Sequence, residues 1–152
     1  MIYFVDEDLI QLEAFKVELK ILGYKVDSLS DADQAYHVLS KCSSNELDIA
    51  IIDVMLAADI DATKSKYNRS RTDDYLQTGL RLLDDLCKIN PNVFPKKAML
   101  FSMASDTALL SDITATSEKY NVPFLDKNKY SDALEFGEII NDHIQHISKG
   151  DL

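Results

Sequence analysis

The chain has 152 residues, 46% hydrophobic and 28% charged, enough for one globular domain whose core needs neither disulfides nor a structural metal. Sixteen Lys and Arg against 26 Asp and Glu leave a formal net charge of −10, which repels phosphate backbones and anionic membranes and argues against direct nucleic-acid binding. No apolar run is long enough to span a membrane, and the opening MIYFVDED lacks the basic n-region of a signal peptide.

The first element is the apolar run 2–5, which ends in Asp6-Glu7-Asp8. Asp8 with Gln11 three residues on predicts an N-cap with a capping-box partner. It precedes a helical stripe of Leu12, Phe15, Leu19 and Leu22 that Gly23 stops. Residues 24–29 form the most polar of the predicted strands, as an edge strand would. Ser30 or Asp31 then starts a helix with Ala35, Val38, Leu39 and Cys42 inward. The third strand, 47–52, ends in Asp53. A long stretch follows before Leu76, Leu80, Leu83 and Cys87 make a third stripe, ended by Asn90-Pro91. Strand four, 98–101, ends in Ser102. Leu109, Leu110, Ile113 and Tyr120 give the fourth helix, with Asn121 suited to the left-handed C-terminal position. Strand five, 122–125, is followed by Asp126-Lys127, and Phe136, Ile139, Ile140, Ile144 and Ile147 mark the last helix.

Continuous apolar runs suit strands buried on both faces. Five βα units with such strands predict a flavodoxin-like three-layer α/β/α sandwich with a five-stranded parallel sheet of order 2-1-3-4-5. Residues 1–152 read as a single domain with an insertion over about 57–76. Functional groups in this architecture gather beyond the carboxyl ends of the strands. Those ends carry Asp6, Glu7, Asp53, Ser102 and Lys127. Asp6 alone could be a turn residue, Asp8 reads as a cap, and Ser102 and Lys127 alone could be structural or solvated. Asp53 interrupts an apolar run, where an unpaired carboxylate is costly. Converging carboxylates repel one another unless a cation joins them, and hard oxygen ligands with open positions suit Mg²⁺. Cys42 and Cys87 lack metal spacing and read as reduced thiols of a cytoplasmic protein. His37, His143 and His146 are too scattered for a histidine metal site.

The pieces FVDED, IAIIDVML, MLFSMAS and FLDK, in that order, resemble the receiver domain of two-component response regulators. The resemblance implies that Asp53 is the phosphoacceptor and that Asp6 and Glu7 hold Mg²⁺ or Mn²⁺ together with Asp53 and the Met55 backbone carbonyl. It makes Ser102 the site hydroxyl, Lys127 the site lysine and Phe124 the aromatic switch. It implies a histidine kinase or histidine phosphotransfer protein as donor. An output protein would be met through the face of helix four, strand five and helix five. No enzymatic activity is implied beyond self-catalysed acceptance and loss of the phosphoryl group. The sequence ends soon after the fifth helix, as in a stand-alone receiver or a piece of a longer chain.

The sequence departs from the family pattern at three places. Ala57 or Ala58 stands where a proline is common, Asn128 follows Lys127 where proline is usual, and the segment after Asp53 is far longer. Its middle, 64–71, carries four basic residues and no acid. It could be a solvated insertion, a docking element for an acidic partner, or a flap over the site. Other readings of the fold are an aspartyl-phosphate phosphohydrolase, a phosphorylation-independent pseudo-receiver, and a nucleotide or flavin domain. The first normally needs an acid/base where Met55 stands, and the last lacks a glycine-rich turn after strand one.

Overall fold

Strands and helices alternate along the chain in the computed structural model, which describes residues 1–56, 65–67, 77–103 and 106–150. In order they are β1 (Ile2–Val5), α1 (Glu13–Ile21), β2 (Val26–Leu29), α2 (Ala32–Leu39), β3 (Ile49–Ile52), α3 (Thr78–Ile89), β4 (Ala98–Ser102), α4 (Thr107–Tyr120), β5 (Phe124–Asp126) and α5 (Ala133–Ser148). The strands form one parallel sheet of order β2-β1-β3-β4-β5. Its register sets Val5 opposite Ile52 and Ser102 opposite Asp126. Every residue of β3 and β4 is buried, whereas β2 at the sheet edge exposes Asp27. This is the predicted flavodoxin-like three-layer architecture.

The helices divide between the two faces as their apolar stripes demand. On one face α2, α3 and α4 cover Val5, Ile52 and Leu100 with Leu39, Leu83, Leu86 and Ile113. On the other, α1 and α5 cover Phe4, Ile51 and Phe101 with Leu19, Phe136 and Ile140. Phe101 and Phe136 lie 4.7 Å apart between ring centroids. Each fully buried aliphatic or aromatic side chain contributes about 1.5–3 kcal/mol, so these two layers hold the sheet. Among the described residues, no helix is long and apolar enough to cross a membrane.

Several local features differ from the sequence reading. Asp8 Oδ1 accepts from Gln11 N at 3.2 Å, but this bond closes a turn ahead of the helix. Helix α1 starts at Glu13, after Leu12, without a side-chain cap. Tyr24 lies before β2 and spends its hydroxyl on Asn141 Oδ1 of α5, 2.6 Å away. The other expectations hold where backbone chemistry decides them. Asp31 caps α2 through Gln34 N at 2.7 Å, and Asn121 takes the left-handed conformation at φ 53°, ψ 45° after α4. Most of the predicted insertion lies outside the described residues. Within it, Tyr67 is fully buried in the α2/α3/α4 layer, which corrects its reading as part of a solvated or docking loop.

Asp84 ties α3 to α4. It accepts from Lys88 Nζ at 2.8 Å and from the Tyr120 hydroxyl, and the Lys119 ammonium lies 3.5 Å away. The Lys88 hydrogen bond, followed by that of Tyr120, holds its carboxyl down at about 2. A carboxyl with a lowered folded pKa stabilises above its unfolded pKa and loses that contribution as pH falls through the folded value. The contribution is therefore complete above about pH 4 and vanishes toward pH 2. Such a pair is worth about 1 kcal/mol at most, so Asp84→Asn should lower the neutral-pH Tm by roughly 2–4 °C. Thermal melts of both proteins should converge in acid; a gap independent of pH would show that the contribution is not ionic.

Candidate functional site

The carboxyl ends of four adjacent strands meet at one edge of the sheet. Asp6 follows β1, Asp53 follows β3, Ser102 ends β4 and Lys127 follows β5. Main-chain bonds fix these ends: Asp6 N donates to Leu29 O, Asp53 N to Val5 O at 2.9 Å, and Lys127 N to Ser102 O at 3.0 Å. Asp6 is 2% exposed and Asp53 8%, and Ser102 is fully buried.

The two oxygens of Asp53 have different partners. Oδ1 accepts from the Ser102 hydroxyl at 2.6 Å and lies 3.3 Å from Met55 N, while Oδ2 accepts from Lys127 Nζ at 3.1 Å. The same ammonium donates to Asp6 Oδ2, and Asp6 Oδ1 accepts from Asp8 N at 2.9 Å. One cation therefore serves two buried carboxylates. Burial, and then the negative charge of Asp53, push the Asp6 carboxyl up. Burial also works against the Lys127 ammonium, but Asp53 and Asp6 outweigh it and raise its pKa. The site is short of positive charge.

That deficit bears on a divalent cation. Asp6 and Asp53 offer hard carboxylate oxygens a single lysine apart, and Mg²⁺ is commonly held by one or two carboxylates with water or phosphate completing its shell. Among the described residues, no three Asp, Glu, His or Cys side chains are gathered for a metal. Glu7 is exposed beside Asp6, and Met55 is half-buried beside Asp53. The donor set fits Mg²⁺ or Mn²⁺ with Asp6 and Asp53 as its charged core. Phe124 opens β5 opposite Leu100, half-buried against the α2/α3/α4 layer. The Lys127–Asn128 peptide is trans: among the described residues the cis peptide is Phe94–Pro95.

One position packed against the site escaped the sequence reading. Gly79, in the first turn of α3, donates its N–H to Val54 O at 2.7 Å. A Cβ at Gly79 would lie 2.0 Å from the Asp53 carbonyl oxygen. The available signal was a glycine inside an amphipathic helix, which costs about 1 kcal/mol relative to alanine unless packing requires it.

No protein-family model matches the sequence, and no curated protein does. Solved structures match it in fold. A CheY-like response regulator receiver domain protein from Methanospirillum hungatei JF-1 superposes with a TM-score of 0.69 at 17% identity, covering 98% of this chain and 96% of its own. A response regulator receiver domain protein from Clostridium thermocellum gives 0.66 at 19%, covering 95% and 94%. A response regulator protein from Burkholderia pseudomallei, with a phosphorylated aspartic acid, a calcium ion and citrate, gives 0.60 at 16%, covering 99% and 69%. At these identities the likeness defines the fold: the chain has the fold of response-regulator receiver domains.

Proposed function

We propose that this chain is a receiver domain in which Asp53 accepts a phosphoryl group from a protein phosphohistidine. The observation that carries the reading is the division of labour at the buried Asp53 carboxylate. A hydroxyl from β4 meets one oxygen, and the ammonium after β5 meets the other. An Asp53 oxygen attacks phosphorus, the P–N bond of the phosphohistidine breaks, and its electron pair leaves on the imidazole. The product is an acyl phosphate. Positioning and charge neutralisation dominate such transfers. Lys127 neutralises the incoming oxygens, and the Ser102 hydroxyl is placed to donate to one of them. Asp6, Glu7, Asp53 and the Met55 carbonyl would hold a divalent cation, which would supply further charge neutralisation. The phosphorylated aspartic acid and calcium ion of the Burkholderia pseudomallei neighbour support both parts.

Acceptance is self-catalysed, so the chain is a switch rather than an enzyme with a turning-over substrate. Redirecting the Ser102 hydroxyl from Asp53 to the phosphoryl group would pull on the loop from Met103. That makes room for Phe124 to turn inward and reshapes the α4–β5–α5 face for an output protein. The donor is a histidine kinase or histidine phosphotransfer protein of the cytoplasm. Acetyl phosphate with Mg²⁺ should add one phosphoryl mass to the intact protein, and a chelator should prevent it. An unchanged mass with both Mg²⁺ and Mn²⁺ would leave a phosphorylation-independent interaction module. Sustained turnover of a phosphate ester would make it a phosphohydrolase instead.

A further inference from the structure

The segment between β3 and α3 leaves the sheet beside Asp53 and returns to it at Gly79, and between those points it is anchored at residues 65–67. Tyr67 is 0% exposed. A tyrosine so placed needs a partner for its hydroxyl, which it finds in Asp85 Oδ2 of α3 at 3.0 Å. Asp85 is itself 7% exposed, and a buried carboxylate requires compensation. The Lys66 ammonium lies 3.7 Å from the same oxygen and 3.8 Å over the Tyr36 ring of α2. On the α2 side, Asp33 accepts from Ser65 Oγ at 2.7 Å and from Lys66 N at 2.9 Å, while Tyr67 N donates to Ser65 Oγ at 2.9 Å. Three consecutive residues thus bridge α2 to α3.

We infer that residues 65–67 form a clip that seats α3 against the Asp53–Met55 turn, with Tyr67 as a positioning residue for the phosphoacceptor. Asp85 and Gly79 are six residues apart on one helix, about 9 Å along its axis. The clip holds one end of that span. At the other end Gly79 touches the Asp53 carbonyl and bonds Val54 O. Leu82, Leu83 and Leu86 are fully buried, so α3 has an apolar face of its own that keeps it on the sheet. The directional bonds of the clip, together with those of Asp84 to α4 and of Asn90 to the Leu39 and Cys42 carbonyls, fix where along that face it rests. A small shift of its first turn would have to move the Asp53–Val54 peptide, and with it the Met55 N–H aimed at Asp53 Oδ1. Because cores are close-packed, such shifts are transmitted rather than absorbed.

The kinetic part of this inference rests on the receiver reading, so the test has an arm that does not. Tyr67→Phe keeps the ring and removes the hydroxyl. In the full-length protein, well below its melting midpoint, the backbone amide NMR signals of Val54, Met55 and Gly79 should shift, with no phosphodonor present. The maximal rate of phosphorylation by acetyl phosphate should fall roughly three- to tenfold, with the half-saturating donor concentration unchanged. A lower Tm with unmoved amide signals would overturn the inference, since the clip would then hold the fold and nothing more. Moved amides with an unchanged rate would overturn it too. If the wild type takes no phosphate, the receiver reading fails and the amide signals alone decide the positioning role. Should Tyr67→Phe fail to fold, Lys66→Met, which keeps most of the stem over Tyr36, decides by the same signals.

Discussion

Replacing Gly79 by alanine is expected to lower the Tm by roughly 5–10 °C, the consequence of about 3 kcal/mol of overpacking in a domain of this size. The added methyl would stand 2.0 Å from Asp53 O, 2.7 Å from Val54 Cα and 2.8 Å from Asp53 C. All three are backbone atoms of a turn whose peptides are bonded to β1 and α3, so none can swing aside. Alanine gains about 1 kcal/mol of helix propensity over glycine, which offsets only part of this. Gly137 is the matched control. Its nearest obstacle is Glu18 Cγ at 2.7 Å, part of a flexible side chain with room to rotate. Thermal melts of the two alanine variants should therefore differ severalfold in their loss of Tm. Equal losses would mean that α3 does not press on the phosphoacceptor turn.

Lys127→Met is expected to produce a stability loss that depends on pH. The ammonium is the shared partner of Asp6 and Asp53, both buried. Removing one partner from a buried ionic group costs about 3–5 kcal/mol when the remaining charge has no relief. Here relief exists in acid. Burial and Asp53 already push the Asp6 carboxyl up, and loss of the ammonium pushes it further. A carboxyl with a raised folded pKa penalises the fold increasingly as pH rises from its unfolded pKa toward the folded one. The deficit of the variant should thus be small near pH 4 and complete by neutral pH. Millimolar Mg²⁺ should raise the Tm of Lys127→Met more than that of the wild type, since a cation then replaces the missing charge. A deficit equal at both pH values would show that Lys127 acts through packing, for instance over the Phe101 ring 5.5 Å away.

The two classes of feature differ in how far sequence could reveal them. Residues 47–52 and 98–101 read as strands because both faces of β3 and β4 are covered, which leaves apolar runs in the sequence. Once those strands are placed in a parallel sheet, Asp53 and Ser102 must share an edge with Asp6 and Lys127. The grouping of these four residues therefore follows from topology alone. Tyr67 could not be read this way. It sits in a basic, polar stretch without periodicity, and its burial depends on Asp85 and Asp33, distant in sequence and on different helices. The start of α1 at Glu13 is not legible in the sequence for a local reason. Asp8 can close either a helix or a turn with the same Asp8–Gln11 bond, and nothing in the spacing distinguishes them. Gly79 carried a signal in its low helix propensity, but what it approaches is set by the packing of α3 on the end of β3.

The most direct measurement of the central claim is the location of the phosphoryl group. After treatment with acetyl phosphate and Mg²⁺, borohydride cleaves an acyl phosphate and reduces that carboxyl to the alcohol, which marks the residue as homoserine. Peptide mass spectrometry should find homoserine at position 53 and nowhere else, and Asp53→Asn should carry neither the mark nor the phosphoryl mass. Homoserine at Asp6 or another carboxylate, or a phosphoryl mass that persists on Asp53→Asn, would contradict the assignment of Asp53 as the phosphoacceptor.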